Sequence, residues 1–277
     1  MIELPDPQSP EGVSDWIELY ASLSQERVQR GLVSAAIRGA LGTEPSDDFI
    51  AEVWLETATR ARYYAPAPYI FDEFAVTPQT MSGFKTDVYR ICLILSLFGA
   101  SDKTRTVQDL FERITNEALR VSFSANSMVF GYRGRGIGEN TRDLANTVKE
   151  KFVKEPARRF KDRGVDVVSW VQFADQRTGK FVVLTQCAAG HNWKGKVAVP
   201  LRAWEQYIHW AVRPTTAFSV PCIISDREWH DQSSEKGMLI DRVRLLNAVP
   251  DRPNDINLET DITEWLEIWL PENIIDE

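Results

Sequence analysis

This chain of 277 residues has only three cysteines and three histidines, no long apolar run and no overall excess of positive charge, and each scarcity narrows what it can be. Cys92, Cys187 and Cys222 are an odd number without close spacing, which speaks for a reducing compartment, the cytoplasm, rather than a disulfide framework. The few Cys and His residues leave zinc a minor reading, since Cys187 with His191 and Cys222 with His230 lack finger spacing. A cysteine nucleophile helped by His191 or His209 has no oxyanion site beside it in the sequence. The most apolar stretch, Ile91 to Ala100, falls far short of the roughly 20 residues a membrane span needs, so a buried helix and no membrane contact are expected. A basic and then apolar leader is missing at the N-terminus, and no secretory signal is expected. Internal repeats and low-complexity tracts are missing too.

What is present starts with the charge distribution. The formal net charge is -8, yet residues 251 to 277 alone hold nine acids against one base, Arg252. The rest of the chain is therefore neutral and can present a basic face. Lys149, Lys151, Lys154, Arg158, Arg159, Lys161 and Arg163 supply a candidate face within a helix expected from Asn140 to about Phe160. Such a face can lie along phosphates or simply be solvated. The turn from Gly131 to Gly138 adds Arg133 and Arg135 among its glycines. It lacks the preceding strand and glycine offset of a dinucleotide fingerprint, and reads as a hinge or a loop near nucleic-acid phosphates.

Apolar residues recur at helical spacing through the first 130 residues, behind candidate caps Ser14, Ser46 and Thr106. Tyr63 to Tyr69, with Pro66 and Pro68, is expected to be a loop between helices. After the turn at 131 come β-branched and aromatic runs at Val165–Phe173 and Lys180–Cys187, with Asp175 to Gly179 as the turn of a hairpin. A helix is expected near 201–211, a strand at 217–224 and a short one at 238–245. The reading is an α/β protein: a helical region over 1–130, a mixed sheet flanked by helices over 131–250, and an acidic segment over 251–277. Trp265 and Trp269 make that last segment a packed or docked one, and its acids suggest a detachable cover for a basic face.

The chemistry concentrates at the hairpin. Asp166 stands near the start of one strand, and twenty residues later Gln186 ends its partner, followed by a turn holding Trp193, Lys194 and Lys196. Strand parity lets the acid and the amide converge at one end of the sheet. Magnesium takes hard oxygen ligands and keeps waters, so a carboxylate, an amide oxygen and a backbone carbonyl suffice beside a phosphate. Gln186 interrupts an apolar strand, where an unpaired polar group costs about 1 to 3 kcal/mol. The bland readings are a capping Asp166, solvated Lys194 and Lys196, and a Trp193 that packs rather than stacking on bases.

This pattern resembles the PD-(D/E)xK nuclease superfamily, whose signature is a helix, an Asp on the first hairpin strand, and Glu, Asp or Gln followed two residues later by Lys on the second. Asp166 and Gln186 match; the position two after Gln186 is Ala188, so the lysine is expected from Lys196, with Lys194 in reserve. Glu139 is the candidate for the extra acid of some members. The resemblance covers about residues 130 to 225 and implies a restriction-endonuclease-like fold. It implies Mg2+ or Mn2+ held by Asp166 and Gln186, and cleavage of DNA or RNA touched by Arg133, Arg135, Arg158 and Arg159. It also implies an anti-phage defence role under a protein partner or within a homo-oligomer. The alternative is a catalytically degenerate nuclease fold that binds or assembles.

Overall fold

The computed structural model describes residues 2–100, 106–131, 140–157 and 163–273. The chain divides into two units, residues 1–107 with 251–277, and residues 108–250. The division falls at 107–108 rather than at 130, and the acidic segment belongs with the first unit.

The first unit opens with α1 (Pro10–Ser24), β1 (Val28–Gln29), α2 (Arg30–Leu41), α3 (Asp47–Ala61), β2 (Tyr69–Phe71), β3 (Ala75–Pro78) and α4 (Gly83–Phe98). Ser46 caps α3 by accepting from the Phe49 N–H at 3.2 Å, as its position suggests. Ser9, not Ser14, caps α1, because Pro10 fits the first helical turn and the chain already turns there. Ser14 is instead buried inside α1 and donates to the Val53 carbonyl at 3.3 Å. The Tyr63–Tyr69 segment leads into a small antiparallel sheet, β1-β3-β2, that helical periodicity does not announce. The apolar run lies on α4, where Ile91, Cys92, Leu93, Ile94, Leu95 and Leu97 are buried.

The second unit begins in α5 (Thr106–Ser122), followed by β4 (Asn126–Val129), α6 (Thr141–Val148), β5 (Lys151–Phe152), β6 (Val167–Trp170) and β7 (Val182–Cys187). After a 3-10 turn at His191–Gly195 come α7 (Leu201–Trp204), β8 (Ile208–His209), β9 (Thr215–Ser219), α8 (Asp226–Lys236), β10 (Met238–Ile240) and α9 (Arg242–Ala248). Five strands form one mixed sheet in the order β10-β9-β7-β6-β4. The pairs β4/β6 and β6/β7 are antiparallel, and β7/β9 and β9/β10 are parallel. The unit is thus a mixed α/β sheet flanked by helices. One core holds Val168, Trp170, Val182, Leu184 and Trp204. A second, next to the 3-10 turn, holds Ala188, Trp193, Phe218, Val220, Ile224 and Leu239.

Several expected elements are shorter. The helix starting near Asn140 ends at Val148, because Lys149 takes a left-handed conformation with φ of 62° and its N–H caps the last carbonyls. Lys151 and Phe152 then pair as β5 with β8, inside the stretch read as helix at both places. The helix expected at 201–211 is one turn long. Arg242 to Ala248 is a helix, capped by the Asp241 side chain, rather than the end of a strand.

The chain then returns to the first unit as α10 (Leu258–Asn273), which packs on α4. Leu258, Ile262 and Leu266 are buried there, Trp265 stacks on Trp269, and Trp269 meets Phe98 with ring centroids 5.2 Å apart. Among the described residues no helix is long and apolar enough to cross a membrane.

Candidate functional site

The site is built at one end of the β6/β7 ladder. Val167 stands opposite Thr185 and Val168 opposite Leu184, and beyond that pair the ladder is irregular, because the Asp166 N–H is directed to the same Thr185 that Val167 faces, as at a β-bulge. Val165 and Val168, three residues apart, belong to one core with Leu184 while Val167 does not, so plain alternation breaks at Asp166 and does not place its side chain on the face of Leu184 and Gln186. The ladder holds Asp166 by its backbone: its N–H donates to the Thr185 carbonyl at 2.8 Å and its carbonyl accepts from Phe130 at 2.7 Å. Its carboxylate accepts from the Cys187 N–H at 2.7 Å, which ties the acid to the residue after Gln186.

Gly164 shapes the floor. Its φ of +76° is a conformation that side chains disfavour, and a Cβ built there would lie 3.1 Å from Gln186 Nε2 and 3.9 Å from Oε1. The Gln186 amide therefore lies against a bare backbone. Gln186 Oε1 is buried and has no hydrogen-bond partner among the described residues. The structure thus ties the Asp166 carboxylate to the residue after Gln186 and lays the Gln186 amide against Gly164.

Helix α5 covers the opposite face of the sheet. Thr115 and Ser219 share a hydrogen bond of 2.9 Å, and Ser219 pairs with Cys187 across β9/β7. Burial pushes the Cys187 thiol well above its ordinary value, reinforced by the Asp166 and Glu112 carboxylates and opposed by a Thr115 hydrogen bond and the Lys196 ammonium. Asp166, Glu112 and Lys196 all lie within electrostatic range of one sulfur. A thiol held protonated in this way is a poor nucleophile and a poor metal ligand. Among the described residues no three His, Cys, Asp or Glu side chains are grouped to hold a metal ion, which leaves the zinc reading without a site.

The two lysines part company. Lys194 is exposed, pairs with Glu228 at 2.5 Å and lies over the Trp193 ring. Lys196 is half-buried, and its positive charge is felt at the Cys187 thiol. Trp193 is buried, packing with Phe218 at a centroid distance of 6.3 Å, and anchors the turn in the core.

Glu112 escapes sequence reading because α5 reads as a packing helix. Its signal is an i, i+3, i+7 row of Glu112, Thr115 and Leu119, all buried, in which an acid occupies a core position. Arg133, Arg135, Glu139, Arg158 and Arg159 lie outside the described residues. Of the remaining basic face, Lys149, Lys151 and Lys154 are exposed on and beside the β5 strand rather than on a helix. No family model, no curated protein and no solved structure matches this chain.

Proposed function

We propose that the protein is a metal-dependent phosphodiester hydrolase of the PD-(D/E)xK type that acts on DNA, with a restriction-endonuclease-like core in its second unit. The observation that carries this reading is the Gln186 Oε1, buried and without a hydrogen-bond partner among the described residues, one residue before the Cys187 N–H that the Asp166 carboxylate accepts from. A buried acceptor left unpaired costs about 1 to 3 kcal/mol, and a hard cation facing a carboxylate and an amide oxygen removes that cost. Asp166 and Gln186 would hold Mg2+ or Mn2+, which supplies an activated water and neutralises charge on the phosphate. Lys196 orients the attacking water and stabilises negative charge developing on the phosphate oxygens. Glu112 adds negative potential from α5 that favours a cation at this end. Cys187 stays a neutral thiol and takes no part in bond making.

By the same resemblance the protein works in the cytoplasm as an anti-phage effector, restrained by a protein partner or by its own oligomer. RNA in place of DNA is the nearest variant of the substrate.

The second reading is a nuclease fold that binds or assembles without cutting. It is favoured by Ala188 at the usual lysine position, by an amide in place of a carboxylate at Gln186, and by the lack of a three-ligand acid, His or Cys group among the described residues. The deciding experiment is cleavage of supercoiled and linear DNA with Mg2+, Mn2+ or chelator. Wild type is compared with Asp166→Ala and with a Lys194→Ala/Lys196→Ala double variant. Metal-dependent cutting lost in both variants supports the hydrolase; metal binding without cutting supports the second reading.

A further inference from the structure

Helix α8 grips the lysine-bearing turn at two places. Near its start Glu228 takes the Lys194 ammonium at 2.5 Å. At its end Lys236 donates to the Lys194 carbonyl at 3.0 Å and to the Lys196 carbonyl at 2.9 Å. The position of Lys236 is itself fixed. Gly237, with φ of +88°, presses on β9 so closely that a Cβ would come within 2.5 Å of the Thr216 carbonyl oxygen, so the end of α8 has one seat.

Lys236 is an expensive residue to bury. It is 1% exposed, and its ammonium lies 5.2 Å from the centroid of the Phe218 ring. The one carboxylate within ion-pair distance among the described residues, Glu235, is 3.8 Å away and largely exposed. An apolar side chain of similar length would fill this space without desolvating a charge. What the ammonium adds is the pair of carbonyl bonds. With them, Lys196 is held on both sides: its carbonyl by Lys236 and its N–H by the Trp193 carbonyl at 3.1 Å. Gly195 between the two lysines has nothing within 4 Å of a built Cβ, so packing there does not hold the turn.

We propose that α8 is a brace that chooses between the two lysines: Glu228 draws Lys194 outward, while Lys236 locks the backbone so that Lys196 faces the Asp166/Gln186 end. Lys236 is a positioning residue, acting through the Lys194 and Lys196 carbonyls. The inference rests on the proposed role of Lys196, so its test has a readout independent of cleavage.

That readout is the rate of acetylation of each lysine in the full chain, resolved by peptide mass spectrometry, in wild type, Lys236→Met, Lys236→Gln and Glu228→Gln. In wild type Lys196 reacts more slowly than exposed Lys149 and Lys151. In Lys236→Met it reaches their rate, in Lys236→Gln, which keeps N–H donors on a shorter, neutral side chain, it lies between, and in Glu228→Gln Lys194 alone speeds up. With DNA, Lys236→Met lowers kcat by about tenfold to a hundredfold at little change in KM, as displacement of a reacting group implies. Unchanged Lys196 labelling in a folded Lys236→Met or Lys236→Gln protein overturns the brace, even if DNA cutting stands. Faster Lys196 labelling without any cutting by wild type supports the brace and counts against the hydrolase.

Discussion

A single missing side chain at Gly164 leaves room for the Gln186 amide. Gly164→Ala places a Cβ 3.1 Å from Gln186 Nε2 at a φ of +76°, and is expected to lose about 1 kcal/mol or more of stability in urea unfolding. Metal affinity should fall with it, because the amide must move. Gln186→Glu tests the ligand role from the other side. One added negative charge next to a divalent cation should tighten Mn2+ binding by about tenfold or more in calorimetric titration, and unchanged affinity would remove Gln186 from the ligand set. At this scale the hairpin that carries Asp166 and Gln186 was legible in the sequence, but the irregular step at Asp166, whose N–H turns to the Thr185 carbonyl, was not. The different surroundings of Lys194 and Lys196 were not legible either, because Glu228 and Lys236, which bond to the turn, lie more than thirty residues away.

Among elements, α1, α3 and α4 meet around a buried charge cluster. The Arg60 guanidinium, 1% exposed, pairs with Asp15 at 2.5 Å, Glu18 at 3.2 Å and Glu56 at 2.7 Å. Tyr64 and Tyr89 donate to the far oxygen of Glu18, and Ser96 to Asp15. Arg60→Met strands two buried carboxylates, and urea unfolding should show a loss of about 3 to 5 kcal/mol. The α4/α10 contact carries a pH dependence. Burial raises the Asp87 carboxyl above its ordinary value, aided by Glu259 and opposed by the Thr263 hydrogen bond and Arg90. The folded state then holds this proton more tightly than the unfolded chain, so stability is present below the ordinary carboxyl value and lost as pH rises through the raised one. Asp87→Asn keeps an acceptor for Thr263 Oγ1 and should raise Tm at about pH 7 but not at about pH 3. Helical periodicity located α3 and α4 correctly. It missed the stop after Val148, since the apolar spacing runs on past a left-handed Lys149 that only the capping geometry reveals.

At the scale of the molecule, the second unit is continuous in sequence and carries its own two cores, whereas the first is completed by α10 from the far end of the chain. Residues 106–250 alone should therefore fold to a mixed α/β state with cooperative urea unfolding, while residues 1–107 without α10 leave the apolar α4 surface uncovered. Circular dichroism of the two fragments checks both statements. The sequence by itself determined the hairpin and the burial of the Ile91 run, because these follow from local periodicity and side-chain parity. Tertiary structure decided the rest: that α5 delivers Glu112 to the sheet, that α8 bonds the Lys194 and Lys196 carbonyls through Lys236, and that the acidic segment joins the first unit. Those outcomes are contacts between residues far apart in the chain, formed by burial and hydrogen bonding that no local pattern encodes.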